Sequence, residues 1–231
     1  MKRNGLKNEG RHSSLHFADM LLFLSLIASM SFRLTGDIAH EIAGIIMSAL
    51  TAFHVFAHRR WIVSFFFRRK NASDIFRFSV LIVIFLLMIG IVVSGIIMSK
   101  IIHVIVSIDG SLLVRQIHVM LAYWVFVFSS IHIGVHFRGM RKRLLGIPFT
   151  NVMVYRVAGI FIAAAGIWAF SKREIASKLL MQSAFGFVDP EECGIAYLYS
   201  LTAVAGLFVF VSYYAMKTAA AFRSIKKKML F

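Results

Sequence analysis

Histidines recur at one interval in two places: His40 with His54, and His118 with His132, each pair fourteen residues apart. Both pairs lie in apolar stretches long enough to cross a bilayer. At 3.6 residues per turn, a step of fourteen returns to nearly the same helix face and climbs about 21 Å. Two such helices, facing each other, would oppose their four imidazoles as two pairs at two depths. That arrangement suits bis-histidine axial ligation of two stacked b-type haems. The chemistry it points to is one-electron transfer across a membrane.

Neutral imidazole is a good ligand for haem iron, and its second nitrogen can bond a neighbour that fixes the tautomer. His58 and His136 each follow the deeper histidine by four residues and share its face. The deeper ligand is therefore either His54 or His58 on one helix, and His132 or His136 on the other. Arg59, Arg60 and Arg138 crowd His58 and His136, which favours His54 and His132 as ligands. Gly44 and Ala122 each follow an upper histidine by four and leave room for a flat macrocycle. Gly90 and Gly95 would let another helix or a porphyrin approach the third span. Arg115 and Arg33 could pair with haem propionates or anchor helix ends at the interface. Glu41 and Asp37, beside His40, suit a helix N-terminus, or, in a sharper reading, a proton acceptor for quinol oxidation. His12, His16 and His103 carry no assignment.

The elements that must position these residues are membrane helices. The chain has 231 residues, of which 59% are apolar, and a mean hydropathy of +0.80, values of a membrane bundle rather than a soluble core. Six spans are expected: His16 to Leu34, Ile38 to Ala57, Phe78 to Ser99, Leu112 to Phe137, Val157 to Phe170 and Gly194 to Met216. Thr35-Gly36-Asp37 reads as a turn with Asp37 as N-cap, and Asp109-Gly110 as another turn. Residues 1–143 form an expected haem-binding four-helix domain, and 144–231 a two-helix extension with an outer loop.

The formal charge of +16 does not signal nucleic acid, because the basic residues cluster at the termini and in alternate loops. In the six-span arrangement, twenty of the 26 Lys and Arg fall on the side of both termini. The positive-inside rule places that side in the cytoplasm of a plasma-membrane protein. His40 and His118 then lie toward the outer face, and His54 and His132 toward the inner. Cys193 is the only cysteine, so no internal disulfide and no covalent haem attachment is available. Nucleotide loops, HExxH and hydrolase triads are missing, and the spans lack the paired acidic residues of ion-driven transport. The charged segment Ser171 to Cys193 is an expected outer docking surface.

The stretch Leu34-Thr-Gly-Asp-Ile-Ala-His-Glu-Ile-Ala-Gly44, through His54 to Arg60-Trp61, resembles the first signature of the flavinylation-associated transmembrane cytochromes, a cytochrome b-like family. Arg115-Gln-Ile-His118 through His132-Ile-Gly-Val-His136 resembles their second. Gly166 to Phe170, Phe185 to Pro190 and Tyr197 to Tyr214 are similar to their C-terminal part. One departure stands out: the family more often has Asn where this chain has His58. The resemblance implies an electron relay, not a stand-alone catalyst, with His40, His54, His118 and His132 as ligands to two haems. It also implies an extracytoplasmic partner bearing covalently attached FMN. The chain has no flavin-attachment sequence of its own. The donor would be the quinone pool or a cytoplasmic protein. Two other classes fit the composition: a haem-b anchor subunit of a quinone-linked oxidoreductase, and a haem-free transporter or assembly protein.

Overall fold

The computed structural model describes residues 20–67, 69–99, 111–144, 152–182 and 194–229, without the side chains of 33–35, 138–144, 152, 224 and 226–229. Those residues form seven helices and no strand. They are α1 (Met20–Met30), α2 (Phe32–Phe67), α3 (Ala72–Met98), α4 (Leu112–Leu144), α5 (Val152–Lys172), α6 (Ile175–Leu179) and α7 (Gly194–Met229). Five of them, all but α1 and α6, are long and apolar enough to cross a membrane. This is an all-α, multi-pass membrane protein.

The five long helices contain the second to sixth expected spans. The first expected span overlaps α1, whose described part rises only about 16 Å, half of a hydrocarbon core of about 30 Å. Its start at His16, with Asp19, lies outside the described residues. So do the connection from Lys100 to Gly110 with His103, the acidic run Asp189 to Glu192, and the side chain of Arg33. The helices outrun the apolar spans at their basic ends. α2 continues past Arg59 and Arg60, α4 past Arg138, and α7 past Met216. Lys, Arg and large aromatic side chains do not break a helix once it leaves the bilayer. The long basic loops expected from composition are therefore largely helical.

Two local devices explain where helices begin and bend. Gly36 sits inside α2 at φ 74° and ψ 179°, joining two helical pieces at the expected Thr35-Gly36-Asp37 turn. Only glycine enters that region without steric cost. Asn71 caps α3: its Oδ1 accepts from the Ser73 and Asp74 amides at 3.0 and 3.1 Å, while Asp74 Oδ2 accepts from the Asn71 amide at 3.4 Å. This reciprocal box satisfies donors that the first helical turn cannot.

The helices group into two units: α1 and α2 with Ser99 in one, and α3 to α7 in the other. In the larger unit, α4 packs between α3 and α7, and α7 also packs on α5. Phe126 and Val125 of α4, with Leu201 and Val204 of α7, are at most 2% exposed. The α5–α7 seam is built on small residues, since a lipid solvent provides little hydrophobic drive between helices. Gly166 lets the Ala203 carbonyl approach within 2.5 Å of where a Cβ would stand. Buried Ala163 and Ala169 lie on the same stripe. At the far end of α7, Arg223 donates to Asn71 Oδ1 (3.1 Å) and to Ser73 Oγ, tying it to the α3 cap.

Candidate functional site

The α2 histidines lie on one stripe, and burial marks it. His40, Gly44, Met47, Thr51, His54, His58, Trp61 and Phe65 are half-buried or buried. Ile38, Ile42, Ile45, Phe53, Phe56 and Val63, off that stripe, are exposed apolar side chains, as expected for a helix turned toward lipid. Thr51 Oγ1 returns its proton to the Met47 carbonyl at 2.8 Å, and Ser48 Oγ to Gly44 at 2.8 Å. The stripe thus carries hydroxyls that are already satisfied. No described heavy atom stands within 4 Å of the position a Gly44 Cβ would take. His40 packs edge-on against the Phe32 ring, with centroids 5.2 Å apart. The adjacent carboxylate of Glu41 accepts from Ser99 Oγ at 3.2 Å.

In the larger unit, α4 carries the second stripe. His118 is half-buried against α3. Its Nδ1 lies 3.0 Å from Ser94 Oγ, and its Cε1 would stand 3.6 Å from a Cβ added at Gly95. Leu121 fills the groove at Gly90, where a Cβ would be 3.0 Å from its Cδ1. Gly90 is thus the closer fit of the two, and at Gly95 an added Cβ would make only ordinary contact with His118. Arg115 is exposed in the first turn of α4. The deeper histidines form close pairs on each helix. His54 and His58 rings lie 4.6 Å apart at 48°, and His132 and His136 rings 4.7 Å apart at 44°. The i, i+4 spacing read from sequence thus repeats with the same geometry on both helices.

Ser94 was invisible to motif reading, because a single serine in an apolar span is commonplace. Its only sequence signal is that it precedes Gly95 in a run otherwise free of charge. Arg173 and Lys178, inside the expected docking segment Ser171 to Cys193, are enclosed side chains. They are 7% and 4% exposed, while Lys172 and Glu174 remain exposed. Arg173 donates to Ser200 Oγ at 3.0 Å, and Lys178 Nζ to the Arg173 carbonyl at 2.8 Å. Their cations sit 5.0 Å from the Tyr197 ring and 5.1 Å from the Tyr123 ring. Trp124 Nε1 donates to the Leu179 carbonyl at 3.1 Å and pins α6 to α4. Ile175, fully buried, completes this plug of charge wrapped in aromatic surface.

The donors on the two stripes are imidazole nitrogens. Among the described residues no group of three or more His, Cys, Asp or Glu side chains is placed to hold a metal ion unaided. Axial ligation of haem needs only two imidazoles per iron, the porphyrin supplying the other four nitrogens. The open flank at Gly44 and an imidazole with one nitrogen held by a hydroxyl both fit that group. No family model, curated protein or solved structure matches the chain.

Proposed function

We propose that this protein is a b-type cytochrome that relays electrons across the plasma membrane. The observation that carries the reading is the repeated fourteen-residue histidine interval on half-buried stripes of two membrane-length helices. In this reading His40 and His118 would hold one haem, and His54 and His132 the other. His58 and His136 stand ready as alternatives at the deeper site. Haem iron supplies the one-electron chemistry when bound.

The chain's own residues do the rest. The histidine side chains fix the depth of the two sites, about 21 Å apart along a helix. Gly44 leaves α2 flat enough for a macrocycle, and exposed Arg115 offers a cation for a propionate. The apolar side chains on these helices exclude water and so tune potential. With both termini in the cytoplasm, His40 and His118 lie toward the outside. Electrons then pass from the quinone pool or a cytoplasmic donor to an extracytoplasmic flavoprotein bearing FMN.

The test is a reduced-minus-oxidised optical spectrum of the purified chain with haem quantified per polypeptide. Two low-spin b haems are expected in the wild type, with His40→Ala losing one and keeping the other. Colourless protein after haem-replete expression would sink the reading.

A further inference from the structure

Ser94 is 5% exposed near the C-terminal end of α3, and its hydroxyl meets three polar atoms. Two are carbonyl oxygens of its own helix, Gly90 at 2.9 Å and Ile91 at 3.1 Å. The third is His118 Nδ1, at 3.0 Å. A hydroxyl has one proton to give. Carbonyl oxygens can only accept, so a proton aimed at the imidazole would leave two oxygen–oxygen contacts with no hydrogen between them. With the proton on the carbonyl side, a common serine arrangement within helices, all three contacts are attractive. The lone pairs of Oγ then face His118, whose Nδ1 must be the protonated nitrogen.

We infer that Ser94 is a positioning residue which holds His118 in the Nδ1–H tautomer and presents Nε2, with its lone pair, to an iron. This assignment rests on the cytochrome reading for its purpose, though not for its geometry. An imidazole that donates from Nδ1 is a more basic ligand and favours the ferric state of its iron. Gly95 lies beside the ring edge, where an added Cβ would make ordinary van der Waals contact at 3.6 Å.

The experiment has two arms on the full-length chain in detergent. In the first, ¹⁵N spectra of ring-labelled histidine, with His118 assigned through His118→Gln, read its tautomer in haem-depleted protein. The wild type is expected to carry the proton on Nδ1, Ser94→Ala to shift toward Nε2–H, and Ser94→Thr to restore the wild-type pattern. In the second, haem titration and a potentiometric titration followed optically are run on the same variants. Ser94→Ala is expected to weaken one site roughly 10- to 100-fold, the usual range for an outer partner of a ligand. The midpoint of that haem should rise while the other stays put, and Ser94→Thr should reverse both changes.

A wild-type His118 protonated on Nε2, or a Ser94→Ala chain unchanged in tautomer and in both haems, overturns the assignment. A wild-type chain with the Nδ1–H tautomer that takes up no haem leaves Ser94's hold on His118 standing and removes the cytochrome reading instead.

Discussion

At Lys178, burial and charge oppose each other. Its ammonium is enclosed outside the spanning segments, and its pKa is lowered from the usual 10.5 to about 8, chiefly by burial and next by the nearby Arg173 guanidinium, with Glu174 acting the other way. Below pH 8 the lysine is charged both folded and unfolded, and the fold bears the whole desolvation cost. Between about pH 8 and 10.5 the unfolded chain binds a proton that the native chain does not. Stability from this residue therefore rises with pH across that window. The thermal midpoint in detergent should climb from pH 8 to 10 more steeply for the wild type than for Lys178→Met. Parallel profiles would mean that the ammonium is not buried as described. Tyr123, whose ring stacks under Lys178, and Tyr197 complete the titratable surroundings. At the same scale, Ser94 and His118 illustrate how a single hydroxyl decides which face of an imidazole is available.

At the scale of elements, close approach of backbones is the main packing device of the larger unit. On α5, Gly166 faces the Ala203 carbonyl and Leu207 Cβ, which would stand 2.5 and 2.6 Å from an added Cβ. Neither is the far end of a flexible side chain, so α5 and α7 must part to admit a methyl. Gly166→Ala should cost about 1–3 kcal/mol by overpacking, read as a lower thermal midpoint of the purified chain. Gly44→Ala is the contrasting case. Nothing described stands within 4 Å of its added Cβ, and alanine favours a helix over glycine by about 1 kcal/mol. Its haem-free stability should hold or rise. A large loss there would reveal a neighbour packed on α2 at that level. The same spacing rules explain why α4, buried on several sides, shows aromatic and small residues all around it, whereas α2 keeps one inward stripe.

At the scale of the whole molecule, five helices of spanning length and a shorter α1 leave the sidedness of the termini as the deciding observable. Twenty of 26 basic residues on one side of a six-crossing chain predict both termini in the cytoplasm. Reporters fused to each end, active on one side only, should agree. Opposite answers would make α1 a non-crossing helix, and an outer C-terminus would reverse the depth assigned to every histidine. Much of this design was legible before any fold was built. Membrane character, the all-α class, the turn at Gly36 and the histidine stripes follow from apolar runs, a glycine between two helical segments and a spacing commensurate with 3.6 residues per turn. Such features are local and periodic, so the chain carries them on its surface.

What the sequence could not reveal depends on which helix faces which. Ser94 reads as one more hydroxyl in an apolar run, and only the packing of α3 on α4 brings it, from 24 residues away, to His118. Arg173 and Lys178 read as solvated charge, because a sequence does not say that Tyr123, Tyr197 and Ser200 will arrive from two other helices to enclose them. Periodicity along one helix is encoded residue by residue. The partner of each face is chosen by shape and polar satisfaction between segments far apart in the chain, and that choice exists only in the tertiary structure.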